Sequence, residues 1–406
     1  MTSFRMCLLR LKTLFAGTLG LMIPLLSFSS ATSAQQSIIE VADYESIQDA
    51  LDAAPESGGV VQLAPGSYTI TSPLVVRTSD LTLRGVGPAS VIINANNTGE
   101  PAFIIRSGKP NPKRKERDEA LWRILLTDFR LLGNEKSGHG VHAVDCNELQ
   151  LRSLTISEHG RDGILMERCF ENARIHDCMI TYNKGTGLNL NINNHDTIVS
   201  ANHFEENYDG IRSAEGFNLT MTGNNLDDHL GSALIIEKMM GSVVTGNMLE
   251  QSTGWGIVVD RDTYATTFTG NTLTNNAAGG IDLRDAHGCS ISANTFSRTA
   301  QNALVIRKNS GRLTVSGNTF TNGFVGGETI LGNPGESPYG SGITLEDTRG
   351  INIAGNTFTA VRPKALSIVG TVSHCVFSNN LLVDCESEAD QLLESEVGMN
   401  VSMPGE

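Results

Sequence analysis

The feature that most limits what this chain can fold into is a repeat. The segment "FTGNTLTNNAAGGIDL", residues 268–283, has its front half echoed as "VSGNTF" from 315 and "IAGNTF" from 353. An apolar residue two places after the recurring Asn position falls at Leu131, Ile156, Ile180, Phe204, Leu226, Leu249, Leu273, Phe296, Phe320, Phe358 and Leu381. The intervals are 22 to 25 residues, with a single one of 38. A period held this long means stacked units, each burying its apolar face on its neighbours. Within a period, apolar and polar residues alternate as in strands, and helix-period runs are missing. Short strands joined by tight bends predict an all-β chain: a single-stranded right-handed parallel β-helix solenoid of about 11 rungs. The Asn has a place in that scheme. Asn202, Asn224, Asn247, Asn271, Asn294, Asn318, Asn356 and Asn379 are expected to stack into a hydrogen-bonded ladder inside one bend, each taking a left-handed backbone there.

Both ends depart from the period. Arg5, Arg10 and Lys12 precede an apolar run from Leu14 to Phe28 and the small residues "SSATSA". Residues 1–34 therefore read as a secretory signal peptide, too short and wrongly flanked for a membrane span, and the protein is expected to be secreted, periplasmic or extracellular. Removing those three cations from 30 basic side chains leaves 27 against 44 acidic ones, a balance of −17. Such a surface excludes nucleic acid and anionic lipid as partners and repels a polyanionic sugar unless cations intervene. Residues 35–385 form the solenoid domain. Asp43 is placed as the N-cap of a capping helix whose apolar stripe is Ile47, Ala50, Leu51 and Ala54, ended by Pro55. Residues 386–406 are acidic and lack the period, so a partial cap and a tail are expected there.

The Gly-Asn-x-Phe and Gly-Ile-x-Leu repeats, with the N-terminal run "ADYESIQDALDAAPESGGVVQLAPGSYTITSPLVV", resemble the right-handed parallel β-helix proteins of the pectate lyase-like superfamily over roughly residues 42–385. The resemblance implies a monomeric protein with a polysaccharide partner. Lyase, hydrolase and epimerase activities all occur in that superfamily. It also contains non-catalytic members, so a carbohydrate-binding or surface-structural role is the alternative. The Trp-Ile-Asp-His and Arg-x-Pro-x-x-Arg signatures of the main pectate lyases are absent. Polygalacturonase-like pieces occur in reversed order, with His139 of "GHG" ahead of Asp209 of "NYDGI".

Chemistry is sought on the strand that carries Gly-Ile-x-Leu, whose outward residues should stack into two columns. One reads His142, Leu165, Asn189, Arg212, Ile235, Val258, Asp282, Val305, Thr344 and Ser367. The other reads Val144, Glu167, Asn191, Ala214, Glu237, Asp260, Arg284, Arg307 and Glu346. Carboxylates on adjacent rungs lie about 5 Å apart at the backbone. They can share a proton, bind a cation such as calcium, or pair with arginine. An acid-and-nucleophile pair, a calcium site bridging to an acidic sugar and a plain salt-bridge ladder all satisfy the pattern. In the ladder, Arg284 and Arg307 neutralise Asp260 and Glu346. With the resemblance, Arg284, Arg307, Asp260 and Glu237 become the catalytic candidates. Asp282, Trp255, Glu346 and Arg212 become substrate contacts, and Glu237, Asp260, Asp262 and Asp282 become calcium ligands. An arginine acting as base needs a lowered pKa. A second candidate site is Asp162 with Asp209, which share one bend position two rungs apart, with room for a water between them. Cys146 and Cys169 stack on neighbouring rungs and are expected to form a disulfide.

Overall fold

One turn of the winding shows the plan. Ile198–Ser200, His203–Glu205 and Ile211–Ala214 run along three sides. The next strand, Thr220–Thr222, then lies on Ile198–Ser200 in parallel register. In the computed structural model, residues 38–113, 117–299, 301–321, 341–361 and 363–404 are described. Residues 1–34, and the insertion 326–342 apart from Ser341 and Gly342, lie outside them. We call the three sides the first, second and third sheets in the order the chain visits them. The second sheet has 14 strands and the third has 12. The solenoid therefore has about 14 turns rather than 11. The additional turns run through Gly66–Ile70, Ser90–Asn94 and Val401–Met403, of which the first two lack the Asn mark. Among the described residues, no helix is long and apolar enough to cross a membrane.

The core follows from strand geometry. In a three-residue strand only the middle side chain points inward, and Val199, Phe204, Ile291 and Phe296 are all at 1% exposure or less. Stacking like on like gives a close fit. The rings of Phe296, Phe320 and Phe358 lie parallel at successive centroid distances of 4.7 Å. Each such buried ring contributes about 2–3 kcal/mol of transfer free energy.

The bend between the first and second sheets holds the ladder. Asn271 donates from N and Nδ2 to Asn294 Oδ1, both at 3.0 Å, and from Nδ2 to Val244 O at 2.9 Å. The left-handed backbone belongs to the preceding residue and not to the Asn: Gly223, Gly246 and Gly270 all have φ +63°. Glycine there avoids the Cβ–carbonyl clash, which leaves the Asn free to hydrogen-bond. The member near the C-terminus is Asn380, which accepts from Asn356 Nδ2 at 3.0 Å. Asn379 takes the glycine position, with φ +58°. The inward residue is accordingly Leu382, paired with Phe358, and not Leu381.

The ends also differ from expectation. The capping helix is Ile47–Asp52, and its N-cap is Ser46, whose Oγ accepts from Asp49 N at 3.1 Å. Asp43 instead closes a short 3-10 turn, Val41–Asp43, after a first strand at Ile38–Glu40. Residues beyond 385 continue the winding. Val401–Met403 pairs with Leu381–Val383, and Asn400 Oδ1 accepts from Asn380 Nδ2 at 3.0 Å.

Candidate functional site

Both outward columns of the third sheet are in register as expected. His142, Leu165, Asn189, Arg212, Ile235, Val258, Asp282, Val305, Thr344 and Ser367 pair in succession. Glu237 lies beside Asp260 in the other column. Asp282, Glu237 and Glu346 are each paired with arginine. Asp282 has no exposed surface. It accepts from Arg284 Nε at 2.8 Å and Arg307 Nε at 2.6 Å. Arg307 Nη1 reaches Glu346 at 2.8 Å. Glu237 pairs with Arg212 and lies 3.8 Å from Arg261. Asp260 Oδ1 accepts from the Arg261 backbone at 2.7 Å. Arg284 thus turns to Asp282, not to Asp260. Burial alone would lower the pKa of Arg307, but the Asp282 hydrogen bond and the charges of Asp282 and Glu346 raise it above its ordinary value. That is the reverse of what an arginine base requires. Trp255 opens the strand Trp255–Asp260 half-buried. A Cβ on Gly279 would lie 2.4 Å from its Cζ3, so glycine makes room for the ring.

A second cluster lies on the earlier turns of the same sheet. Asp162 Oδ2 is 3.4 Å from His139 Nδ1, with both side chains 14% exposed, and accepts from Asn189 Nδ2 at 3.0 Å. Its Oδ1 accepts from Thr186 N at 2.8 Å. Asp209 repeats the last contact two turns on, its Oδ1 accepting from Ser232 N at 2.8 Å. Glycines seat both carboxylates: a Cβ on Gly185 would lie 2.4 Å from Asp162 Oδ1, and one on Gly231 2.3 Å from Asp209 Oδ1. The two groups titrate in opposite directions. For Asp162, burial raises the pKa, but the His139 and Asn189 hydrogen bonds, the His139 charge and Thr186 N–H more than reverse it, and the net shift is downward. For Asp209, burial dominates, the Asp162 charge adds to it, and the net shift is upward. His142 Nε2 meets Glu167 at 3.1 Å, and burial holds its pKa below the usual imidazole value. The sequence carries the signal for these pairs, because His139–Asp162 and His142–Glu167 are each about one period apart.

The four acids expected to hold calcium do not converge. Calcium takes about six to eight oxygens, whereas Glu237 and Asp282 already have arginines on their carboxylates. Among the described residues, the group with ligand atoms within 4.8 Å of one another is Asp262, Asp285 and His287. Of these only Asp262 was expected. An imidazole between two carboxylates suits a borderline transition ion better than calcium. Cys146 and Cys169 are free, buried thiols, so the expected disulfide is not made. Stacked parallel neighbours hold their Cβ atoms roughly a rung apart, wider than the about 3.8 Å of a disulfide. The Cys169 thiol instead lies 3.7 Å from Glu167 O, and burial pushes its pKa up to about 12.

The chain belongs to the right-handed β-helix family. The family model described as "Right handed beta helix region" matches residues 122–266 and 219–382. Among curated proteins, none matches it in sequence. Solved structures share its winding. The A-module of the Azotobacter vinelandii mannuronan C-5 epimerase AlgE4 superposes with a TM-score of 0.62 at 15% identity, over 84% of this chain and 100% of that one. The Yersinia enterocolitica family 28 exopolygalacturonase gives 0.55 at 11% identity, over 92% and 80%. PfbA, a surface adhesin of Streptococcus pneumoniae, gives 0.56 at 13% identity, over 83% and 93%. At these identities the likeness is one of fold.

Proposed function

We propose that this chain is an exported glycoside hydrolase that cleaves a polysaccharide lying along the third sheet. Asp209 is its general acid and Asp162 its general base. One observation carries the reading: two carboxylates occupy the same bend position two turns apart, and their surroundings push their proton affinities in opposite directions. Separated environments of this kind define an acid and a base. Two turns place the backbones about 10 Å apart at about 4.8 Å per turn. That leaves room for a water between the carboxyl groups, the arrangement that inverts the anomeric centre. Asp209 would protonate the leaving oxygen while Asp162, held by His139 and Asn189, takes a proton from the attacking water. The likeness in fold to the mannuronan epimerase and the exopolygalacturonase supports the substrate class.

The pairing of Glu237, Asp282 and Glu346 with arginines favours a second reading, carbohydrate binding without turnover. A panel of neutral and uronic-acid polymers separates the readings. New reducing ends without ultraviolet absorbance, lost in Asp209→Asn, support hydrolysis. Absorbance from an unsaturated uronate overturns it in favour of a lyase, and binding with neither product supports the second reading.

A further inference from the structure

At the corner where the third sheet turns into the first, successive turns bring His287, Gly311, Arg349 and Ser373 into one row. A cavity of about 580 Å³ opens over this row. Its walls carry Lys308, Arg312 and Arg349, all exposed. Among the described residues, none of the three makes an ion pair. This sets them apart from the arginines nearby. Arg212, Arg261, Arg284 and Arg307 each lie against a carboxylate. The cavity contains one acid, Asp347, and its Oδ1 is occupied by Thr371 N at 2.8 Å. His287 also lines the cavity, and its Nε2 lies 3.3 Å from Asp285.

The floor is made so that nothing fills the space. Gly311 and Ser310 are buried. A Cβ on Gly311 would lie 2.9 Å from Arg349 O, so a larger residue there would press on the wall. Ser310 Oγ is already committed, donating to Leu283 O at 3.0 Å and accepting from Ala286 N at 3.1 Å. The unpaired charges in the pocket are three cations, Lys308, Arg312 and Arg349, against the one carboxylate of Asp347. Three like charges on neighbouring turns repel one another, and the chain as a whole carries a formal charge of −14. A concave cluster of three cations against a single carboxylate keeps a net positive charge, and such a cluster captures an anion by charge-assisted hydrogen bonds.

We infer that this corner pocket binds a carboxylate or sulfate group, with Lys308, Arg312 and Arg349 as its contacts. The site is separate from Asp162 and Asp209, and it stands whether or not those residues hydrolyse anything. Its ligand is either a free anion or an anionic group borne on a saccharide chain.

Calorimetric titration of the full chain at low salt tests this with three probes: inorganic sulfate, an oligogalacturonate of six residues, and the same oligomer with its carboxyl groups reduced to alcohols. The expected result is binding of at least one charged probe, none of the neutral oligomer at this pocket, and affinity that falls as salt rises. Arg312→Ala with Arg349→Ala should weaken the charged probe about tenfold or more. Arg77→Ala, at a distant surface pair with Asp52, should not. Lys308→Gln provides a milder variant if the double one melts early. Tighter binding of the oligomer than of sulfate identifies a polymer-borne anion, and equal binding identifies a free one. Unchanged affinity of the charged probes in both pocket variants, or binding of the reduced oligomer that those variants weaken as much as they weaken the charged one, overturns the assignment.

Discussion

Asp282, with no surface exposed, lies 2.6 Å from the Nε of Arg307, one turn further along the rod. The pair joins the two outward columns of the third sheet, because Asp282 belongs to one and Arg307 to the other. Replacing Asp282 by Asn removes the negative charge while two guanidiniums stay in place. Breaking a buried pair by deleting one member costs about 3–5 kcal/mol. Arg307 keeps some contact with water and with Glu346, so a loss of about 2–3 kcal/mol is expected. Urea unfolding should show a lower midpoint at unchanged slope. A midpoint equal to that of the parent chain would mean the pair adds nothing.

Acid should destabilise the fold through two histidines that carry no exposed surface. His159 and His229 occupy a bend column that continues as Asn183, Asn207, Ser252 and Asn276. The backbone contacts Lys184 N to His159 O, Leu230 N to Asn207 O and Thr253 N to His229 O show the alignment. Burial drives the pKa of both from 6.5 to about 4. The native state thus refuses a proton that the unfolded chain accepts. Stability is full above about pH 6.5 and falls as pH drops toward 4, by about 3 kcal/mol for each histidine. Asn fits the column, so His159→Asn should flatten the fall between pH 7 and 4 in melting temperature. Parallel curves for parent and variant would refute this origin.

The register was legible because burial sets it. A one-residue slip would turn every inward side chain outward, so the marks from Leu131 to Phe358 all lie on one strand column. The slip at Leu381 came from two adjacent asparagines, either of which could fill the ladder. Stacking also showed which charges share a stripe. It did not show which carboxylate an arginine selects, since Arg284 is within a side chain's length of both Asp260 and Asp282. That choice depends on rotamer and burial, which the repeat does not encode. The Asp262, Asp285 and His287 group is not read from the sequence for a related reason: it forms where the third sheet turns into the first, outside the two outward columns of the third sheet.

The asparagine pair offers a direct test of the ladder. Asn380 Oδ1 accepts from both N and Nδ2 of Asn356, at 2.9 and 3.0 Å, and its own Nδ2 donates to Ile353 O at 3.2 Å. Asn380→Ala should strand buried donors and cost about 2–4 kcal/mol. Asn379 only supplies a left-handed backbone, so Asn379→Gly should change stability by less than about 0.5 kcal/mol. Equal losses at the two positions would contradict the assignment of Asn380 to the ladder.

The acid–base assignment predicts a shape for the pH dependence of kcat/KM. Catalysis needs Asp162 ionised and Asp209 protonated. Asp162 titrates below 3.8, so its limb cuts activity only at strongly acidic pH. Asp209 titrates above 3.8, so activity declines as pH rises through its value. The profile is therefore bell-shaped, with its optimum between the two values. Asp209→Asn should lower the rate roughly a hundred- to ten-thousand-fold and remove the alkaline limb. His139→Asn removes the leading hydrogen bond that lowers the Asp162 pKa. Its acid limb should move to higher pH while the alkaline limb stays in place. A role of His139 in folding alone would shift neither limb. Reducing-end assays across pH 3 to 8 on both variants make the distinction, and an alkaline limb that persists unchanged in Asp209→Asn would exclude Asp209 as the acid.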